Sequence, residues 1–264
     1  MADIEDSAAP GPVIVARRVL LTGGTSGLGL AMASALAAAG ASVVLTGRDA
    51  GRAEQVAATL PNASGLGLDT RDEAAVRAAV RETASRLGGI DMLVNNAGLG
   101  MRTVNPRFIT EPQGFWTVSP EGFRAVVDTN LTGYFLVARE VTPLMLAAGH
   151  GRIVNISMNH ATMTRRGFVP YGPSRAGAEA LSRIMAADLD GTGVTVNLLL
   201  PGGATRTGMV PAEHQDVAGR PLLDPEIMGP PIVWLASADA DGTSNERIVA
   251  TEFDHWLRQR ALPL

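Results

Sequence analysis

Short apolar runs alternate along the chain with longer stretches whose apolar residues recur at helical spacing. Runs at 17–22, 42–46, 65–68 and 92–94 read as buried strands, and 28–39, 51–60 and 71–87 read as helices. Gly40 and the pair Gly88-Gly89 supply helix stops. The second half continues with a long helix at 120–148, a strand at 152–156, a helix carrying Tyr171, and a strand at 194–200 that ends in Pro201-Gly202-Gly203. A helix at 232–237 and a strand at 247–250 follow. Strands separated by helices of this length form βαβ units, whose right-handed crossovers put helices on both faces of a parallel sheet. The expected fold is an α/β, Rossmann-type doubly wound sheet. Residues 1–16 predict a flexible tail and 17–264 a single domain. Within it, 204–230 holds four prolines and no clean period, which predicts a mobile lid.

Composition narrows the choice of partners. At 264 residues, with 46% apolar and 18% charged side chains, the chain suits one continuous core. A net charge of −4 without a basic cluster argues against a nucleic-acid surface. The absence of cysteine removes disulfides, thiolate metal sites and cysteine nucleophiles, and fits a reducing cytosol. Residues 1–12 have neither a basic start nor an apolar stretch, so no signal peptide is expected, and no apolar run is long enough for a membrane span. All 22 basic side chains are arginine. Coding bias toward Ala and Arg explains this, as does deliberate replacement of lysine.

Two local patterns point to chemistry. Thr22-Gly23-Gly24-Thr25-Ser26-Gly27-Leu28-Gly29 follows a strand and opens a helix. Glycines at 23, 27 and 29 let the turn tighten, let the backbone approach a pyrophosphate and let the helix pack on the strand. The helix N-terminus then offers free N–H groups to phosphates. Tyr171 and Arg175, four residues apart, share one helix face. A cation there favours the ionised phenol, which suits a group that gives and takes a proton.

Asp69-Thr70, Asn95-Asn96-Ala97-Gly98, Asn130 and Pro201-Gly202 stand in order around these patterns. With them the chain resembles the short-chain dehydrogenase/reductase family from about residue 17 to residue 250. The resemblance implies an oxidoreductase that moves hydride between a nicotinamide cofactor and a carbonyl or secondary alcohol. It assigns Gly23, Thr25, Ser26, Gly27, Leu28 and Gly29 to the phosphate loop, and Asp69 with Thr70 to the adenine. It assigns Asn96, Ala97 and Gly98 to the passage beside the adenosine ribose, and Pro201, Gly202, Ala204 and Thr205 to the nicotinamide side. Tyr171 becomes the general acid or base, Arg175 stands where the family has the lysine that holds the ribose hydroxyls, and Asn130 anchors a water relay. Self-association as a homodimer or homotetramer is also implied, through the helix at 120–148 and the Tyr171 helix, where Ala176, Gly177, Ala178 and Ala180 allow close packing.

Two positions depart from the family pattern. Family members read Ile-Val-Asn-Ile-Ser-Ser, with the second serine catalytic, whereas Ile153-Val154-Asn155-Ile156-Ser157 is followed here by Met158. One residue along a strand reverses the side faced, so Ser157 takes the role only if the strand end bulges. Asn159 and His160 are the alternatives; His160 has no second ligand at a spacing that would make a metal site. Arg175 supplies lysine's field but gives up no proton at ordinary pH, so a slower enzyme is expected. Cofactor choice turns on Thr46-Gly47-Arg48, where no carboxylate ends the second strand. Arg48 suits a 2′-phosphate, which favours NADP(H) over NAD(H), with Asp49 as either its partner or a ribose ligand. Met101, Met158, Met163 and Met209 predict an apolar, adaptable substrate pocket, and Phe108, Phe115 and Trp116 either wall it or anchor a loop. Tyr134, the other tyrosine, is expected in the core or an interface.

Overall fold

The computed structural model describes residues 13–260 apart from 212, 215 and 218. The first half runs β1 (Arg18–Leu21), α1 (Gly27–Ala38), β2 (Ser42–Gly47), α2 (Ala50–Ala57), β3 (Ala63–Gly67), α3 (Glu73–Leu87) and β4 (Met92–Asn95). After a long loop come α4 (Pro120–Val127), α5 (Gly133–Ala148), β5 (Gly151–Ile156), the short α6 (His160–Met163), α7 (Tyr171–Asp188) and β6 (Val194–Leu200). A small hairpin, β7 (Asp216–Val217) and β8 (Arg220–Pro221), precedes α8 (Gly229–Ala236), β9 (Arg247–Val249) and α9 (Phe253–Arg260). Seven strands form one parallel sheet in the order β3-β2-β1-β4-β5-β6-β9.

Alternation along each strand divides the core between two faces. Val19, Leu21, Val43 and Leu45 pack with Met32 and Leu36 of α1 and with Ile232 and Leu235 of α8. Leu20, Val44, Leu93 and Ile153 pack on the other face with Val76 and Val80 of α3 and Val137, Val141 and Met145 of α5. Both faces are covered, which is why the strands read as unbroken apolar runs. The strand order reverses between β1 and β4, and open α/β sheets bind ligands at the carboxyl ends beside such a reversal. The glycine loop leaves β1 there and Asn95 to Gly98 leave β4 there.

The structure adds to the sequence reading or departs from it at four places. Residues 13–16 are not free tail: Ile14 is buried and bridges Ser237, and the N–H groups of Val15 and Ala16 donate to the Ala236 carbonyl. The rest of the expected tail, 1–12, lies outside the described residues, as do 261–264. The long helix at 120–148 is broken by a π-helical turn, Asp128–Thr132, a widened turn often found at functional sites. The segment 204–230 contains the β7–β8 hairpin and the 3-10 turn Pro225–Met228, and α8 starts at Gly229 because its prolines sit in the first turn, where no N–H is needed. Lastly, α9 was not anticipated, since few of its residues are apolar. It docks through Phe253 and Trp256, which stack at 6.0 Å and meet Trp234 edge-on. No helix among the described residues is long and apolar enough to cross a membrane.

Candidate active site

The glycine loop and the segment after β4 are built against each other. Thr22 Oγ1 accepts from the N–H groups of Asn96 (3.0 Å) and Ala97 (3.1 Å). Asn96 Nδ2 donates back to the carbonyls of Thr22 (3.0 Å) and Gly23 (2.8 Å). A Cβ on Gly23 would lie 2.7 Å from Ala97 Cα, and one on Gly29 would meet the Gly23 carbonyl and lie 2.5 Å from Asn96 Nδ2. Both glycines are therefore demanded by close backbone approach. The first turn of α1 carries no acidic residue, and the Ser26 side chain makes no cap, so the opening N–H groups of α1 stay available to an anion. Leu28 turns inward onto the core, and Thr25 packs over Gly47 at the end of β2.

Just beyond β2, Asp49 is committed to capping α2, accepting from the Arg52 N–H at 3.0 Å. The cap occupies Oδ1 and leaves the second carboxylate oxygen of this exposed side chain uncommitted. Arg48 is exposed, and among the described residues it makes no ion pair. Its charge is felt by Asp69, whose pKa falls to about 2. The main cause is hydrogen bonding from Arg71, opposed by burial, with Arg48 adding a smaller pull. Thr70 is buried and packs against Gly133 at the start of α5.

Tyr171 and Arg175 occupy the first turns of α7. The Tyr171 ring is half-buried and its hydroxyl points at Met209 Sδ, 3.9 Å away. Arg175 is not on the surface: only 2% of it is exposed. Its guanidinium lies near two phenol rings, 5.4 Å from the Tyr134 centroid and 5.4 Å from the Tyr171 centroid. Nη1 donates to the Tyr134 hydroxyl (2.6 Å) and to the Ile156 carbonyl (2.9 Å), while Nε has no partner among the described residues. Burial works against the charge, but the neighbouring phenols more than offset it, and the pKa of Arg175 lies above the ordinary arginine value. Tyr134 is in the core as expected, and burial raises the pKa of its phenol despite Arg175.

Asn130 sits fully buried in the π-helical turn. Its Nδ2 donates to the Leu99 carbonyl (2.9 Å) and Ser174 Oγ (3.1 Å), and its Oδ1 accepts from the Leu99 N–H (2.8 Å). It thus ties the chain after β4 to the turn that carries Tyr171. A Cβ on Gly98 would lie 2.5 Å from Arg175 Nη2 and 3.1 Å from Asn130 Oδ1, so these groups converge there.

The serine question has a clear geometric answer. The β5 ladder continues without a bulge, since the Ser157 N–H donates to the Leu199 carbonyl at 2.9 Å. Met158 therefore faces the apolar cluster of Met101, Phe108 and Phe168 on which Tyr171 packs. Ser157 faces the other way and donates to Glu179 Oε1 at 2.5 Å. His160 Nε2 meets Glu179 Oε2 at 3.0 Å, and Asn159 Nδ2 donates to the Gly202 carbonyl at 2.7 Å. Burial would raise the pKa of Glu179, but bonds from Ser157, His160 and Arg247 outweigh it and the net shift is downward. All three candidates to replace the serine are engaged elsewhere. Of the loop aromatics, Phe108 is an anchor, meeting Phe168 edge-on at 5.8 Å, whereas Phe115 and Trp116 are exposed.

Over the cleft, Gly202 follows the buried Pro201 at the end of β6, and the Ala204 carbonyl accepts from the Leu223 N–H (2.8 Å). Thr205 is buried with its hydroxyl on the Gly203 carbonyl (3.3 Å). Thr207, which the sequence reading passed over, is the threonine that reaches the phosphate loop: a Cβ on Gly27 would lie 3.0 Å from its Cγ2.

Comparison with known proteins follows the same lines. The family model described as short chain dehydrogenase matches residues 17–218. The chain is 34% identical over 185 residues to 2-dehydro-3-deoxy-L-rhamnonate dehydrogenase (NAD(+)) of Sphingomonas sp., covering 70% of this chain and 71% of that protein. It is 30% identical over 239 residues to the 3-oxoacyl-(acyl-carrier-protein) reductase of Vibrio harveyi, covering 87% and 93%. Among solved structures, gluconate 5-dehydrogenase from Burkholderia cenocepacia in complex with NADP and tartrate superposes with a TM-score of 0.78 at 30% identity, covering 90% of this chain and 95% of the other.

Proposed function

The chain belongs to the short-chain dehydrogenase family of NAD(P)-dependent oxidoreductases acting on CH–OH and C=O groups, and from that premise we propose that it uses NADP(H) and that Tyr171 carries the proton. The observation that carries the proposal is one convergence. An uncapped helix N-terminus, a glycine cradle and a half-buried tyrosine beside a buried cation meet at the carboxyl end of the sheet. The opening N–H groups of α1 would hold the pyrophosphate, Asp69 and Thr70 the adenine side, and Arg175 the nicotinamide ribose. Bound there, the nicotinamide supplies or accepts hydride at the substrate carbon. Tyr171 donates its proton to a carbonyl oxygen, or takes one from an alcohol, and Arg175 stabilises the phenolate left behind. Asn130 keeps the Tyr171 turn fixed on the loop after β4.

Arg48 supports the preference for a 2′-phosphate, as an exposed guanidinium just beyond β2 that makes no ion pair among the described residues. One relative's name carries NAD(+) and one related structure holds NADP, so the family alone leaves the choice to such local residues. Partly buried Met158 beside Tyr171, and Met209 against its hydroxyl, favour an apolar carbonyl or alcohol. Exposed Phe123, Phe135 and Ile184 on α4, α5 and α7 support a homodimer or homotetramer through these helices.

The test is cofactor consumption, with NADPH and NADH in parallel, across a panel of ketones and aldehydes. Turnover with NADPH well above NADH is the expected result, and Tyr171→Phe should lose turnover while still binding NADPH. A second reading, a nucleotide-binding protein with little redox turnover, is favoured by the engagement of Ser157, Asn159 and His160 elsewhere. Tight NADPH binding with no turnover across the panel would select it.

A further inference from the structure

We propose that Tyr134 is a positioning residue for the cofactor site, acting through Arg175; the inference rests on the cofactor reading above. The Tyr134 hydroxyl is buried, 2.6 Å from Arg175 Nη1, and both it and Nη1 converge on the Ile156 carbonyl. Two partners on one nitrogen fix one edge of a planar guanidinium, and the centroids of the Tyr134 and Tyr171 rings each lie 5.4 Å from Cζ. The remaining donors are then aimed rather than free. Nη2 lies beside Gly98, and Nε is a buried N–H with no partner among the described residues. An orphaned buried donor on a cation is costly unless a ligand group meets it, and the nicotinamide ribose is the group that the cofactor reading brings to Arg175.

Lysine at 175 would not reproduce this. Its ammonium is a compact charge with rotating donors and has no planar edge for the Tyr134 hydroxyl to hold. Arginine at 175 and tyrosine at 134 therefore form a matched pair across α5 and α7, rather than one defective position.

The test measures affinity for NADPH and for 2′,5′-ADP, which lacks the nicotinamide ribose, in the wild type, Tyr134→Phe, Arg175→Lys and the double variant. Tyr134→Phe keeps the ring and removes only the hydroxyl. NADPH affinity should fall about tenfold, on the scale of one hydrogen bond to a charged group, with 2′,5′-ADP affinity unchanged. The double variant should bind NADPH no more weakly than Arg175→Lys alone, since the pair acts as a unit. If Tyr134→Phe does not fold, Tyr134→Met carries the same test, since it also takes the hydroxyl from Nη1: NADPH affinity should fall and 2′,5′-ADP affinity should not. Equal losses for both ligands, strictly additive losses, or unchanged NADPH affinity in Tyr134→Phe each overturn the pairing and leave the cofactor reading standing. A wild type that binds no NADPH overturns both.

Discussion

Replacing Ser157 with alanine separates a structural serine from a catalytic one. Ser157 is 5% exposed, and its hydroxyl donates at 2.5 Å to Glu179 Oε1. Hydrogen bonds to charged acceptors contribute about 1.5–3 kcal/mol. Glu179 keeps Arg247 Nε and His160 Nε2, each at 3.0 Å, so the loss belongs at the lower end, about 1.5 kcal/mol. For a chain of this size each kcal/mol moves the melting temperature by about 2–4 °C, so a fall of roughly 3–6 °C is expected. The sign of its pH dependence follows from the lowered pKa of Glu179. A carboxylate with a depressed folded pKa contributes stability above its unfolded value, near ~4.3, and loses it as pH falls through the folded value. The gap between wild type and Ser157→Ala should therefore be full above about pH 5 and close in acid. Calorimetric melts across that range, with turnover measured beside them, make the assay. Loss of turnover with an unchanged melting temperature would refute the reasoning and return Ser157 to the chemistry.

Met158→Ser places a hydroxyl on the Tyr171 side of β5 and should raise kcat, up to about the hundredfold that one oxyanion donor supplies. The exchange should cost about 1–2 kcal/mol, because Met158 is only partly buried in its cluster; calorimetry and the reductase assay check both arms. Gly29→Ala drives a Cβ into the Gly23 carbonyl and Asn96 Nδ2, so a loss of about 3 kcal/mol in urea unfolding is expected, together with loss of NADPH binding. Arg48→Ala should weaken NADPH about tenfold or more and leave NADH unchanged, which calorimetric titration of each cofactor would show.

What could be read from the chain and what could not differ in physical kind. Strands buried on both faces announce themselves as apolar runs, and a backbone cradle announces itself through glycine, because both depend on local residue type. Strand alternation was also enough to turn Met158 toward Tyr171 and Ser157 away, once no bulge intervened. The burial of Arg175 had a signal too: it shares a helix stripe with Ala178, Ser182 and Ala186, all buried. Its partner had none. Tyr134 OH and the Ile156 carbonyl come from different elements, and only the packing of α5 and α7 against β5 brings them to one guanidinium. An arginine in a lysine's place looks like a handicap when its position is weighed alone. Beside a buried hydroxyl that accepts from it at 2.6 Å, the same arginine has a reason to be there. Reverting it by itself should then lose cofactor affinity rather than restore rate.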